Sequence, residues 1–222
     1  PLDQPLQASA LRKSLQQLVD GCEDEAAFHA VLRQFRQQHQ CRIIWRDLTE
    51  LADFEATVAD LSVLADCLID TALDWLYRRA CEKDGTPRAP NGDAVALVVL
   101  AMGKLGAREL NLSSDIDLIF AYEYEGDTDG ERELSNHQFF LRLGQQLIRA
   151  LDATTVDGFV FRVDMRLRPW GQSGALSIGF DAMENYYEQQ GREWERYALI
   201  KMRPVAGDIE AGLRLWQRLT PF

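Results

Sequence analysis

The stretch Leu97–Tyr122, LVVLAMGKLGARELNLSSDIDLIFAY, decides the fold. Leu97-Val98-Val99-Leu100 is an apolar run of the kind that forms a buried strand. A turn holding Gly103, Gly106 and Ser114 follows, and Asp115-Ile116-Asp117 then opens a second apolar run, Leu118-Ile119-Phe120. Strand side chains alternate faces, so Asp115 and Asp117 point the same way. Two carboxylates that close repel each other unless a cation stands between them. A hard divalent ion with oxygen ligands suits that place. Mg2+, which keeps some water and takes phosphate oxygens, suits it best.

A third carboxylate lies further on. Phe159-Val160-Phe161-Arg162-Val163-Asp164-Met165-Arg166-Leu167-Arg168 alternates strictly between apolar and polar from Phe161 onward. As one strand it would put Phe159, Phe161, Val163, Met165 and Leu167 on one face. Val160, Arg162, Asp164, Arg166 and Arg168 would share the other. An acid that binds metal, flanked by guanidiniums able to grip phosphate bidentately, suits phosphoryl or nucleotidyl transfer. Alone, the segment reads more simply as a surface strand with salt-bridged charges. Strand, glycine turn, Ser-Asp-x-Asp strand and a later Asp strand in combination are far more specific.

Gly103, eleven residues, then Asp115-x-Asp117 resembles the pattern of nucleotidyltransferases of the DNA polymerase β superfamily. Two longer strings are narrower: Gly103-Lys104-Leu105-Gly106-Ala107-Arg108-Glu109-Leu110 with Ser114-Asp115-Ile116-Asp117, and Val163–Pro169 with Gly171 and Ser173-Gly174. Both resemble the glutamine synthetase adenylyltransferases, two-headed enzymes that attach AMP to glutamine synthetase and remove it. The wording of residues 109–117, with Arg162-Val163-Asp164-Met165, is similar to the N-terminal, adenylyl-removing half. The likeness runs from about residue 25 to the end and is strongest between residues 97 and 205.

The resemblance implies an α+β nucleotidyltransferase fold, a small mixed β-sheet with flanking helices, preceded by a helical region. It implies phosphorolysis: phosphate attacks the AMP on a tyrosine of adenylylated glutamine synthetase and releases ADP. Asp115, Asp117 and Asp164 would be the catalytic acids and would hold Mg2+, two ions by the charge argument. In the family, nitrogen status acts through the PII signal protein and glutamine; no residue or spacing here shows those regulators. Two alternatives stay open. One is the opposite reaction, adenylyl transfer from ATP to the tyrosine, which needs the same acids. The other is a non-catalytic fragment that binds nucleotide or partner.

Several polar residues carry two readings each. Gly103 and Ser114 flank the turn before the acids; the turn can hold phosphate through backbone N–H groups or simply be tight. Lys104 can neutralise phosphate or lie on the surface. Arg166 and Arg168 can hold the attacking phosphate or pair with the acids. Gly171, Ser173 and Gly174 can close over substrate or only turn the chain. Arg192, Glu193, Glu195 and Arg196 read as a solvated helix face.

Composition fits a portion of a longer protein. The chain has 222 residues, 46% of them hydrophobic and 27% charged, as in ordinary globular proteins. Its formal net charge of -11 argues against a nucleic-acid binder. No apolar run is long enough to cross a membrane. Cys22, Cys41, Cys67 and Cys81 lack any C-x-x-C spacing and read as reduced, packing thiols of a cytoplasmic protein. Three units are expected: a helical region over residues 1–90, a catalytic core over 91–180, and a truncated helical segment over 181–222. Helical stripes fall on Leu11, Leu15, Leu18 and Val19, on Phe28, Val31, Leu32 and Phe35, and on Val58, Leu61, Ala65, Leu68, Ala72, Leu73 and Leu76. Asp84 to Gly92 is a breaker-rich loop, and Ser135 is the expected N-cap of a helix carrying Phe139, Leu143, Leu147 and Ala150. Met183, Tyr186 and Tyr187 mark one later apolar patch, and Trp194, Tyr197, Ala198 and Met202 another.

Overall fold

The first three elements of the computed structural model, which describes residues 2 and 4–221, are helices: α1 (Ala8–Asp20), α2 (Glu25–Leu48) and α3 (Phe54–Asp84). Asp24 and Asp53 start the second and third by accepting from Ala27 N and Ala56 N, each at 2.8 Å. These caps satisfy backbone donors that the first turn leaves unpaired. The whole expected seam of α3 is buried. In α1, Leu11, Leu15 and Val19 are buried while Leu18 is half exposed, so the stripe there is narrower than its spacing predicts.

The strands are β1 (Leu97–Ala101), β2 (Ile116–Tyr122), β3 (Val163–Asp164), β4 (Ser177–Gly179) and β5 (Arg203–Gly207). Among the described residues they form one mixed sheet in the order β3-β2-β1-β5, with β4 also pairing β2. β1 runs antiparallel to β2 and β5, whereas β3 and β4 lie parallel to β2. A single helical turn, α4 (Gly103–Gly106), joins β1 to β2. After β2 comes α5 (Asn136–Asp152), capped as expected by Ser135, whose Oγ accepts from Gln138 N at 3.2 Å. Three further helices follow: α6 (Phe180–Gln189), α7 (Glu193–Ala198) and α8 (Ile209–Leu219).

Alternate strand residues feed two apolar layers. Leu97, Val99, Leu118 and Phe120 pack with α1, α2, α3 and α5. Val98, Leu100, Ile119 and Ala121 pack with α6 and α8. A sheet covered on both faces explains why β1, and β2 from Leu118 onward, read as unbroken apolar runs. Each fully buried Leu or Phe contributes about 1.5–3 kcal/mol. The first layer continues from α1–α3 into the sheet, so the helical region and the strands share a core.

Three local expectations change. Residues 159–168 do not make one long strand: only Val163 and Asp164 pair with β2. Upstream, Val160 N and Phe161 N both donate to Leu151 O, at 2.9 and 3.0 Å, so the chain wraps the end of α5 and buries Val160. Downstream, Asp164 Oδ1 accepts from Arg166 N at 2.8 Å, and this side-chain turn replaces the next ladder bond. In the last segment Met183, Tyr186 and Tyr187 are buried as expected, but Trp194 and Tyr197 face outward. Glu195 is buried rather than solvated; it accepts from Tyr186 Oη at 2.7 Å and from Arg192 N at 2.9 Å. No helix among the described residues is long and apolar enough to cross a membrane.

Candidate active site

The parallel β2–β3 pairing sets the geometry. Ile116 sits beside Val163 and Asp117 beside Asp164, which brings carboxylates distant in sequence to adjacent strand positions. Asp115 lies just before β2. Met102 N donates to Asp117 O at 2.9 Å, which ties the start of α4 to the same place. Gly103 then passes so close that a Cβ there would lie 2.5 Å from Asp117 Oδ2, and its φ of +54° is a left-handed value that other residues adopt at a cost. Gly106 is required by a different contact: its Cβ would stand 1.9 Å from Lys201 O.

These elements enclose an open cleft of about 560 Å³ lined by Gly103, Lys104, Ser114, Asp115, Asp117, Asp164 and Arg166, and also by Asn111, Ser113, Arg162 and Lys201. Every site residue expected from sequence lines it except Arg168. The Arg168 guanidinium instead donates to Gly174 O (3.2 Å), Met165 O (2.6 Å) and Gln172 O (3.1 Å). It thus ties down residues 169–174, which make a short 3-10 turn over Gly171–Ser173. Gly171, Ser173 and Gly174 lie outside the cleft lining.

The charges are unevenly matched. Arg162 pairs with Asp115 and also donates to Ser113 O at 2.6 Å. Arg166 grips Asp164, its Nε standing 2.7 Å from Oδ2. That grip holds the Asp164 carboxyl below the usual carboxylate range. Asp117 has no hydrogen bond or ion pair to its carboxylate among the described residues. Burial, then the charges of Asp164 and Asp115, push its pKa up. Lys201 reaches Glu109 at 3.0 Å. Ser114 Oγ donates to Asn111 Oδ1 at 2.6 Å.

By donor chemistry, three carboxylates with one short of positive charge suit a hard dication. By arrangement, no three such groups among the described residues stand together as a ready metal cage. Two of the acids face arginines: Arg162 engages only Oδ1 of Asp115, whereas Arg166 reaches both oxygens of Asp164. Sequence reasoning missed Lys201, which no local pattern marks: the packing of Gly106 against its carbonyl brings it in. Arg162 was read as one of the guanidiniums flanking Asp164 but was not named as a site residue; Asn111 and Ser113 were visible only as polar neighbours of the acids.

The small mixed sheet, flanking helices and acid-bearing strand pair define a nucleotidyltransferase-type protein. A family model for glutamate-ammonia ligase adenylyltransferase matches residues 1–217, and the chain belongs to that family. It is 57% identical over its full length to the bifunctional glutamine synthetase adenylyltransferase/adenylyl-removing enzyme of Pseudomonas aeruginosa, covering 23% of that protein. Against the proteins of the same name from Thioalkalivibrio sulfidiphilus and Hahella chejuensis, identity is 53% over 100% of the chain and 56% over 95% of it. The chain spans 23% and 22% of those relatives, less than a quarter of their length.

Proposed function

We propose that this chain carries the adenylyl-removing chemistry: phosphorolysis of adenylyl-tyrosine on glutamine synthetase. The observation that supports it most is one cleft that joins three carboxylates with Lys104, Arg162, Arg166 and Lys201. Acids alone serve transfer in either direction. Cations beside them offer a place for a free inorganic phosphate as a second substrate. A phosphate oxygen attacks the adenylyl phosphorus, the bond from that phosphorus to the tyrosine oxygen breaks, and ADP forms. The phenolate that leaves takes a proton from solvent. No covalent enzyme intermediate is needed.

Asp115, Asp117 and Asp164 are the residues that would hold Mg2+, two ions in this reading, which would offset charge on both phosphates. Arg166 orients the attacking phosphate through its planar fork. Lys104 and Ser114 stand where further phosphate oxygens can be met, and Gly103 leaves room for Asp117. PII and glutamine remain proposed regulators through the family alone.

The test is a direct comparison with magnesium present. Adenylylated glutamine synthetase plus phosphate should give ADP and unmodified protein. Unmodified glutamine synthetase plus ATP should give no pyrophosphate. Pyrophosphate release without ADP would reverse the direction, and no turnover of either would make the chain a binding fragment.

A further inference from the structure

On α3 and α5, away from the acidic cleft, the two helices face each other across a groove of about 510 Å³. From α5 come Arg142, Gln145, Gln146 and Arg149, whose i, i+3, i+4, i+7 spacing places them on one helix face. From α3 come Arg79 and Lys83, one turn apart. Arg79 is already engaged: its guanidinium lies 4.1 Å over the Trp75 ring, and it donates to Cys22 O and Glu23 O at 3.2 and 3.0 Å. Lys83, Arg142 and Arg149 have no carboxylate partner among the described residues.

A concentration of unpaired cations is unexpected on a chain of net charge -11. Lys83 and Arg149 stand in the last turns of their helices, where a positive side chain suits the helix dipole. Arg142 is mid-helix and has no such reason. Two acids also line the groove: Glu25 turns toward His29, at 3.7 Å, and Asp84 ends α3.

The floor limits what can bind. Trp75, Leu76, Phe139 and Leu143 are at most 5% exposed, so an amphipathic helix would find little apolar surface to bury. The Trp75 ring is stacked on Phe28 on one face, at 3.9 Å, and covered by Arg79 on the other, which leaves no face for a nucleobase. What the groove offers is positive charge from two helices and the amides of Gln145 and Gln146. We propose that it is a second ligand site, separate from the acidic cleft, for a small oxyanion with two or more phosphate or carboxylate groups.

Pyrophosphate and citrate, titrated separately into the intact chain after its metal ions are stripped on a chelating resin, test this by calorimetry. Stripping removes the metal ions that would draw either anion to the acidic cleft without adding a free polycarboxylate that competes for the groove. We expect saturable binding of at least one. A Lys83→Gln/Arg142→Gln double variant should weaken it at least tenfold, as should Arg149→Glu alone; all three side chains are exposed, and unchanged circular dichroism would confirm the fold. Arg166→Gln, in the acidic cleft, should leave binding unchanged. Preference for pyrophosphate marks a phosphate-bearing ligand, and preference for citrate a polycarboxylate. Binding of neither anion, or binding that survives the groove variants, overturns the proposal.

Discussion

Replacing Gly103 by alanine should separate catalysis from stability. The added Cβ would lie 2.5 Å from Asp117 Oδ2, short of the 3.4 Å at which ordinary contact begins, so that carboxylate must retreat by about 0.9 Å. Displacement of a catalytic group by about 1 Å can cost roughly a hundredfold in rate. The φ of +54° adds about 1–2 kcal/mol of backbone strain. Alanine also restricts the unfolded chain, which returns about 0.4–1 kcal/mol. The net loss, about 1 kcal/mol, is about 2–4 °C in Tm for a chain of this size. Rate is measured as ADP release from adenylylated glutamine synthetase at saturating magnesium, well below Tm, and ion affinity by Mn2+ titration. Wild-type rate and Mn2+ affinity in Gly103→Ala would refute the claim that this close approach positions Asp117.

If Asp117 holds the metal as proposed, Asp117→Asn should lower the rate about a thousandfold or more, since a metal ligand contributes several kcal/mol to the transition state. The same change should raise the Tm of the metal-free protein. The raised pKa of Asp117 means its charged form opposes folding, so wild-type stability falls as pH climbs through that value from the ordinary 3.8. The Tm gap between variant and wild type should therefore widen with rising pH; a constant gap would remove the charge explanation. Asp164→Ala should depress kcat far more than it raises KM for the adenylylated protein, whereas a pure KM effect would make Asp164 a binding residue. Arg166→Lys should raise the phosphate KM roughly tenfold or more, from a charge-assisted bond of about 1.5–3 kcal/mol. Arg168→Lys should lower Tm and leave phosphate KM alone, because its guanidinium serves carbonyls of residues 165–174; equal phosphate effects in both variants would contradict this division.

The sheet and the acids were legible because their signals are local. β1 and β2 are apolar on both faces, and Asp115-x-Asp117 sits where a turn meets a strand. Asp164 was legible through period-2 alternation, although the strand that carries it is only two residues long. The alternation overstated the strand because its own aspartate closes a turn onto Arg166 N. Arg168 looked equivalent to Arg166 for the same reason. Period 2 holds only while the chain stays extended, and beyond Asp164 it turns. Lys201 was out of reach: it follows Glu109 by 92 residues, and only the packing of the turn at Gly106 places the two together. The outward Trp194 and Tyr197 illustrate the opposite failure, since helical spacing marks a shared face without saying whether anything covers it.

Under the proposed function, the cleft's pairing would let one set of cations serve two states. Arg162 and Arg166 flank Asp164 in sequence by two residues on either side, yet they serve different acids: Arg162 turns to Asp115 and Arg166 to Asp164. Asp117, beside Asp164 in the sheet, has no ion pair of its own and a raised pKa. Under the proposed function that deficit is the drive for taking up a dication. In that reading, an ion on Asp117 that also drew on Asp164 would compete with Arg166, and a guanidinium so displaced would be available to a phosphate oxygen within the same cleft. Were both to bind so, linkage would require that metal favour phosphate and phosphate favour metal by the same factor.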